Sequence, residues 1–210
     1  MGLFFTLEGP DGSGKSTQIK RLAQRLEENG IRYRTTREPG GTKISDGIRA
    51  LLLDPENGEM TAKTEALLYA ASRAQHVAEV IRPALSEEIV VLCDRYIDAS
   101  LAYQATGLGL SLDYVRELNE RATEGLWPTR TYLIDVPAEV GIERVSKSRG
   151  TGLDRIEQRD LLYHGRVRDQ FLQLAAVEPH RFCVLDGTRS VEEVTDLIWE
   201  DVRQFLHADK

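Results

Sequence analysis

The chain has 210 residues, of which 41% are hydrophobic and 29% are charged, a composition typical of a soluble globular domain. Its formal net charge of −7 argues against general binding to nucleic acid or to an anionic membrane, because both need a basic surface. No apolar run approaches the roughly 18 residues that span a bilayer, and no secretion signal precedes the first strand-like run. We therefore expect one cytoplasmic domain over residues 1–210, with no nucleic-acid or membrane partner.

Five short runs predict β-strands. The third is continuously apolar, as expected for a strand of a parallel sheet that is covered on both faces. Cys93 and Cys183 lie in the third and fifth runs, and we interpret both as buried, reduced strand residues rather than as a disulfide or metal pair. The runs, in chain order, are LFFTLE, IRYRTT, IVVLCD, TYLIDV and RFCVLD.

Between these runs, apolar residues recur at helical spacing. The first such helix passes through residues 19–26, and Gly30 is a candidate for its stop. Ser190 and Glu193 have the spacing of a capping box before the last helix. Strands that alternate with helices predict a doubly wound α/β fold, with a five-stranded parallel sheet and helices on both faces. The further predicted helices cover residues 46–53, 64–85, 112–123, a stretch from 138, a stretch through 176, and 191–206.

The segment EGPDGSGKST follows the first strand and opens the first helix. It matches the pattern G-x-x-x-x-G-K-[ST] of a phosphate-binding loop, in which backbone N–H groups and the helix N-terminus face an anion. Lys15 should reach the β- and γ-phosphates, and the Ser16 hydroxyl should ligate Mg²⁺. The predicted ligand is a nucleoside triphosphate with Mg²⁺. The residues expected to bind it are Gly9, Pro10, Asp11, Gly12, Ser13, Gly14, Lys15, Ser16 and Thr17.

Two more segments follow strands at the same edge of the sheet. Asp94 ends the third strand, and we expect it to be the second magnesium-coordinating carboxylate. Arg95 comes next and suits a phosphate clamp, although a salt bridge to a surface carboxylate explains it equally well. The segment TREPGGT, with Arg37 and Glu38, follows the second strand. Its adjacent glycines permit close approach of a ligand, or form a plain turn.

Polar and aromatic residues of the helical stretches complete the set of candidates. Tyr69 and Arg73 lie one helical turn apart and suit a nucleobase pocket, although an aromatic at this spacing is more often a core residue. Ser100, Tyr103 and Gln104 follow the third strand closely and are able to line the same cleft. The guanine-reading pattern N-K-x-D is absent from the sequence, so nothing supports a GTP switch.

Together, these segments resemble the thymidylate (dTMP) kinase family. The stretches FTLEGPDGSGKST, TREPGGT, YAASRAQ, CDRYIDASLAYQ and SRGTGLDRIE occur in the family's order over essentially the whole chain. The resemblance implies a P-loop NTPase fold in a single nucleoside monophosphate kinase domain, with a small mobile lid at about residues 144–157. It also implies a homodimer that phosphorylates dTMP to dTDP with ATP and Mg²⁺, in the pathway to dTTP.

The resemblance implies a role for each matching acceptor position. Tyr69 matches the aromatic that stacks on thymine, and Arg73 matches the arginine that hydrogen-bonds the thymine carbonyl. Arg95 matches the arginine that binds the acceptor phosphate. Tyr103 matches the tyrosine under the deoxyribose, where a 2′-hydroxyl would clash. The other expected dTMP contacts are Asp11, Arg37, Glu38, Ser100 and Gln104.

The resemblance also bears on the carboxylate in the phosphate loop and on the lid. It implies that Asp11 accepts a hydrogen bond from the acceptor's 3′-hydroxyl, whereas the alternative is that Asp11 caps the loop backbone. The loop lacks an arginine, while Lys147, Arg149 and Arg155 lie in the lid, which is the bacterial-type arrangement. We expect Arg149 to contact the transferred phosphoryl group; the alternative is a solvated charge. The expected catalytic residues are Lys15, Arg95 and Arg149.

The implied mechanism needs no general base, because a phosphate oxygen of dTMP is already ionised near neutral pH. Catalysis then consists of positioning and charge stabilisation. Two alternatives stay open at this point. One is a related kinase whose acceptor is dUMP, dGMP or a free deoxynucleoside, and the other is a nucleotide-dependent switch that is not a kinase.

Overall fold

The five predicted strands lie side by side in one parallel sheet. The structure, a computed structural model, describes residues 2–149 and 152–208, and their side chains except at residues 148, 149 and 208. The strands are β1 (Phe4–Glu8), β2 (Tyr33–Arg37), β3 (Val90–Asp94), β4 (Arg130–Asp135) and β5 (Phe182–Asp186). Within the described residues their order across the sheet is β2-β3-β1-β4-β5. The prediction of a five-stranded parallel sheet is confirmed.

Helices connect the strands and cover the sheet. Wider, π-helical turns continue α3 through Val77–Ile81 into α4, and they continue α5 through Leu101–Gly107. The single helix predicted over residues 64–85 therefore corresponds to the run from α3 to α4. The α-helices are α1 (Lys15–Glu28), α2 (Lys43–Leu53), α3 (Ala62–His76), α4 (Arg82–Ser86), α5 (Ile97–Ser100), α6 (Leu112–Thr123), α7 (Ala138–Arg149), α8 (Leu161–Val177) and α9 (Val191–Ala208).

Each face of the sheet carries its own apolar core, because successive strand residues point to opposite sides. On one face, Phe5 and Leu7 of β1 join the core that α1 and α9 cover. On the other face, Phe4 joins a core with Ile81 and with Phe171 of α8. Helices therefore cover both faces, as the strand and helix pattern predicts.

The site lies where the carboxyl ends of β1 and β3 meet. These two strands pair in parallel with Leu7 opposite Asp94, and the chain leaves them in opposite directions across the sheet. Such a switch point leaves a crevice between the loops, and ligands of open α/β sheets bind there. The register therefore places the segment that follows Glu8 beside Asp94 and Arg95.

Local signals at the helix starts were predicted with mixed success. The capping box before α9 is confirmed: the Ser190 N–H donates to Glu193 Oε2 at 3.0 Å, and the Glu193 N–H donates to Ser190 Oγ at 3.3 Å. Helix α2 begins at Lys43, after its cap Thr42, and not at Asp46 as the sequence predicts. The prediction followed the apolar spacing and missed the threonine cap.

Two further expectations need correction. Residues 97–107 are helical, although the sequence predicts no helix there, since a π-helical stretch does not follow the 3.6-residue period. Cys183 is half-buried rather than buried, because β5 is an edge strand, whereas Cys93 is buried; both are free thiols. In the described ranges, 2–149 and 152–208, no helix has the length and apolar character needed to cross a membrane.

Candidate functional site

A cavity of about 720 Å³ opens at the carboxyl edge of the sheet, and it collects most of the predicted site residues. The pocket is large enough for two small substrates, since ligand pockets typically measure about 300–1,000 Å³. The predicted residues that line it are Asp11, Gly12, Ser13, Gly14, Lys15, Ser16, Thr17, Arg37, Glu38, Tyr69, Arg73, Asp94, Arg95, Ser100, Tyr103 and Gln104.

The phosphate loop takes its shape from glycines in conformations that other residues rarely adopt. Gly9 has a φ of +136°, and a Cβ there would lie 2.3 Å from the Ile134 carbonyl oxygen. Gly12 has a φ of +74°, and a Cβ there would lie 2.2 Å from the Gly141 carbonyl oxygen of α7. A side chain at either position would push the loop away from β4 or from α7.

Lys15 begins α1 with its side chain curled into the loop. Its Nζ donates hydrogen bonds to the carbonyl oxygens of Gly9 at 3.0 Å and Pro10 at 2.8 Å, and to Ser13 Oγ at 3.3 Å. Burial, aided by the nearby charge of Arg95, lowers the pKa of Lys15 to about 8. The ammonium therefore lies at the centre of the loop, where phosphate oxygens bind in loops of this kind.

Ser16 and Asp94 meet beside the loop, as the sequence predicts. The Ser16 hydroxyl donates to Asp94 Oδ2 at 2.7 Å. Both side chains offer oxygen ligands, the type that Mg²⁺ prefers in proteins. The chemistry of this pair fits a magnesium ion held together with phosphate oxygens.

Asp11 points its carboxylate at side chains of the neighbouring pocket. Its Oδ1 accepts a hydrogen bond from Arg95 Nη2 at 2.6 Å, and its Oδ2 accepts one from the Tyr103 hydroxyl at 2.9 Å. Burial alone would raise the pKa of Asp11, but the charges of Arg95 and Lys15 and the Tyr103 hydroxyl hold it at about 2. Asp11 is therefore ionised at neutral pH. It lies in the phosphate loop and contacts the neighbouring pocket through Arg95 and Tyr103.

Arg73 is the centre of a buried polar cluster and is 2% exposed. Its Nε donates to Glu38 Oε2 at 2.6 Å. Its Nη1 donates to Ser100 Oγ at 3.0 Å and to Asn119 Oδ1, and its Nη2 donates to the Tyr96 carbonyl oxygen at 2.9 Å. A guanidinium has five N–H donors, so these bonds fix its plane rigidly at the cavity wall.

Glu38 accepts a hydrogen bond from Arg73, and its other carboxylate oxygen is also occupied. Its Oε1 lies 2.8 Å from His76 Nδ1, and His76 Nε2 lies 2.6 Å from Thr36 Oγ1. The thiol of Cys93 lies close enough to Glu38 and His76 for the three to resemble a metal site. Because both ring nitrogens of His76 already have partners, we interpret the cluster as a hydrogen-bond network.

Tyr69 and Arg37 lie on the wall of the same cavity. Tyr69 is half-buried, and burial raises the pKa of its phenol well above the usual range, so the ring is neutral. The Arg37 side chain is 57% exposed and lies 3.3 Å from Asp46. The structure therefore places Tyr69 on the wall of the cavity that also contains Arg73 and leaves Arg37 at the rim.

The basic residues expected in the lid behave differently from one another. Arg155 is buried, not free: its Nη2 donates to Glu65 Oε2 at 2.7 Å and its Nε donates to the Leu52 carbonyl oxygen at 2.9 Å. This anchoring corrects the expectation of a lid cation, because the guanidinium serves to attach the segment to α2 and α3. Lys147 is exposed and pairs with Glu143 at 2.5 Å. The Arg149 side chain lies outside the described residues.

Sequence reasoning missed several polar residues of the site. Glu65 is fully buried, and its Oε1 accepts a hydrogen bond from Gln104 Nε2 at 3.0 Å. Arg144 Nη1 donates to the carbonyl oxygens of Gly12 at 3.4 Å and Gly187 at 3.2 Å, directly over the phosphate loop. Arg144 lies one helical turn after Gly141, the residue that packs on the loop. The sequence does not reveal that contact, and the available signal was the place of Arg144 in the basic stretch at about residues 144–157. The missed residues are Glu65, Asn119 and the cavity-lining Arg49, Arg144 and Arg189.

A family model, related sequences and a solved structure all show that the chain is similar to thymidylate kinases. The family model for thymidylate kinase matches residues 7–198. A thymidylate kinase of Exiguobacterium sibiricum is 51% identical over 98% of this chain and 96% of its own length, and one of Geobacter sulfurreducens is 54% identical over 91% and 92%. The crystal structure of thymidylate kinase from Ehrlichia chaffeensis superimposes with a TM-score of 0.76 at 31% identity, covering 96% of this chain and 98% of that one.

Proposed function

The chain belongs to the thymidylate kinase family, and we propose that it transfers the terminal phosphoryl group of ATP to dTMP, giving ADP and dTDP for dTTP synthesis. One observation carries the proposal: Asp11 of the phosphate loop pairs with Arg95 and Tyr103 of the adjoining pocket. This contact links a donor loop to a second polar pocket within one cavity. A kinase needs such a link, because the two phosphates must be held in line.

We place ATP on the phosphate loop. The loop N–H groups and the N-terminus of α1 hold the phosphates, and Lys15 exchanges its carbonyl partners for phosphate oxygens. Ser16 and Asp94 would hold the magnesium ion, which would neutralise phosphate charge. The adenosine end extends toward Arg144 and Arg189, on the same cavity wall.

We place dTMP in the pocket around Arg73. The thymine stacks on Tyr69, and the N–H that Arg73 has left over from its cluster donates to a thymine carbonyl. Glu38 acts through Arg73, since both of its oxygens are occupied. Ser100 and Gln104 shape the base pocket, and they do so partly through Arg73 and Glu65, to which they are bonded.

Acceptor binding exchanges the partners of Asp11. The acceptor phosphate binds Arg95. The 3′-hydroxyl donates a hydrogen bond to the Asp11 carboxylate, which Arg95 and Tyr103 contact in the described structure. The Tyr103 ring packs against Tyr163 and Phe171 with ring centres 6.2 Å from each. That packing fixes the ring beneath the deoxyribose, as a floor of the sugar site. The ring then cannot move aside to make room for a 2′-hydroxyl.

Phosphoryl transfer then rests on charge and position. The second pKa of a phosphate monoester is about 6, so the acceptor oxygen is ionised at neutral pH and needs no base. Lys15 and Arg95 stabilise the negative charge of the transferred group. In this proposal Arg149, whose side chain lies outside the described residues, contacts that group. The packing of Gly141 of α7 on the loop supports a lid at about residues 144–157 that covers the donor.

The test measures ADP release from ATP and Mg²⁺ with dTMP, dUMP, dGMP, thymidine or no acceptor. We expect dTMP to be used best, with dUMP about 10- to 200-fold worse, because one methyl group in an apolar pocket gives that discrimination. Preferred use of dGMP or thymidine would assign a different acceptor. ADP release that no acceptor changes would contradict the kinase and favour a nucleotide-dependent switch.

We further propose that the chain forms a homodimer through α2 and α3. These helices pack on each other and expose Ile44 at 57%, Leu51 at 53% and Leu67 at 48%, an apolar face that a second copy would cover. Light scattering at several concentrations should give twice the chain mass, and Leu51→Glu should give a monomer. Leu162→Glu, at a leucine of α8 that is 74% exposed, is the control and should stay dimeric.

A further inference from the structure

Glu8, the last residue of β1, has no role in the site described above. It is fully buried and immediately precedes Gly9 of the phosphate loop. Its Oε1 accepts a hydrogen bond from the Tyr96 N–H at 2.6 Å, whereas its Oε2 has no hydrogen-bond partner among the described residues. A buried carboxyl group with an unpartnered oxygen is costly, so its presence needs a reason beyond satisfying one backbone N–H.

The reason lies in the residue before Tyr96. Arg95 has a φ of +70°, in the left-handed region that a residue with a Cβ disfavours. Two hydrogen bonds from the end of β1 hold this turn on either side. The Arg95 N–H donates to the Leu7 carbonyl oxygen at 3.1 Å, and the next N–H, that of Tyr96, donates to Glu8.

The left-handed turn decides where the Arg95 side chain goes. From it, Nη1 donates to the Gly9 carbonyl oxygen at 3.1 Å and Nη2 reaches Asp11. A relaxed backbone would carry the guanidinium away from the line between the loop and the acceptor pocket. We propose that Glu8 is a positioning residue that holds the strained backbone of Arg95, and thereby its guanidinium, for the acceptor phosphate; this inference rests on the proposed function.

Three substitutions separate this role from other roles of a buried acid. Glu8→Gln keeps a side-chain carbonyl oxygen that accepts the Tyr96 N–H. Glu8→Met keeps the length and loses the acceptor, and Glu8→Asp keeps a carboxyl group but is one methylene too short. Glu8→Gln should therefore behave like the natural chain, and the other two should behave like each other.

The measurement is binding of dTMP and of thymidine to each protein by titration calorimetry, with no turnover required. The two ligands differ by the phosphate that Arg95 holds, so their affinity ratio reports on Arg95. We expect the preference for dTMP to fall about tenfold in Glu8→Met and Glu8→Asp, with the affinities for thymidine and for ATP changed less than about twofold. Glu8→Gln should keep the preference within about threefold.

Several results would overturn the inference. An unchanged preference in Glu8→Met and Glu8→Asp would do so, and so would an equal loss of thymidine affinity, which indicates a collapsed pocket. A full loss in Glu8→Gln would show that charge matters rather than the hydrogen bond. A natural chain that does not prefer dTMP to thymidine would instead contradict the proposed function.

Discussion

The donor and acceptor halves of the cavity are built in opposite ways. The centre of the donor half, the phosphate loop, is one continuous segment, in which Lys15 bonds to atoms no more than six positions away. The acceptor half is assembled around Arg73, whose partners lie between 23 and 46 positions away. A local loop keeps its shape when one side chain changes, whereas a distributed cluster ties substrate binding to the stability of the fold.

The largest loss of activity should come from a substitution in the donor half, and it should leave the stability of the fold unchanged. Lys15→Ala removes the only ammonium that lies among the loop carbonyl oxygens in the described site, so we expect kcat/KM to fall by about 10³-fold or more. The midpoint of urea unfolding should move little, because the lysine bonds only to its own loop. Steady-state kinetics and urea titration of the same preparation measure both quantities.

Lys20→Ala is the matched control, since Lys20 lies on the same helix and is exposed. It should leave kcat/KM unchanged within about a factor of two, as surface substitutions usually do. Near-normal turnover in Lys15→Ala would remove the donor role of the loop. An unfolded Lys15→Ala protein would show that the donor half is not as self-contained as its contacts suggest.

The acceptor half should lose both activity and stability. Arg73→Met strands the buried carboxylate of Glu38 without its cation, and breaking a buried ion pair costs about 3 kcal/mol or more. We expect a drop of that size in the free energy of unfolding, together with a raised KM for dTMP. Urea unfolding and dTMP saturation curves check the two effects.

The double variant Arg73→Met/Glu38→Gln isolates the cause. Removing both charges should recover part of the stability that Arg73→Met loses, because no unpaired buried charge remains. It should not recover dTMP binding, since the donor to the base is still absent. Additive losses of stability would mean that the two side chains act independently, against the 2.6 Å contact between them.

The same contrast explains what the sequence could and could not predict. The phosphate loop was predicted residue by residue, because its chemistry follows from a fixed local spacing between a strand and a helix. Asn119, by contrast, looks like any polar residue of an amphipathic helix. Only the packing of α6 against α3 brings it to Arg73, and no local pattern contains that information.

The lid illustrates a second kind of failure. The sequence identified a basic segment, and Arg149 was singled out in it, but Arg155 was counted as a lid cation as well, since composition does not distinguish a free cation from an anchored one. In the fold, Arg155 is buried against Glu65, a partner 90 positions away. Arg144, at the beginning of the proposed lid, contacts the loop instead. Which cation meets the substrate depends on three-dimensional neighbours, and therefore on the fold.

A change of intermediate size is expected in sugar discrimination, and it should depend on the ring of Tyr103 and not on its hydroxyl. Tyr103→Ala removes the floor beneath the sugar and should relax discrimination against ribothymidine monophosphate by about tenfold. Tyr103→Phe keeps the ring and should keep the discrimination, while it loses the hydroxyl that donates to Asp11. The ratio of kcat/KM for dTMP and its ribo form measures this, and equal selectivity in both variants and the natural chain would refute the sugar floor.

The smallest effect concerns Asp11, the residue shared by both halves. Its pKa of about 2, against an ordinary value of 3.8, means that the ionised pair with Arg95 stabilises the fold fully above pH 3.8 and progressively less as the pH falls toward 2. The full contribution is about 2 kcal/mol, and about half of it should be lost by pH 3. The stability difference between the natural chain and Asp11→Asn should therefore shrink by about 1 kcal/mol between pH 7 and pH 3. Asp113→Asn, at an exposed aspartate, is the control and should show no such change in urea unfolding. A stability difference for Asp11→Asn that grows at low pH would mean that Arg95 does not hold the Asp11 carboxylate.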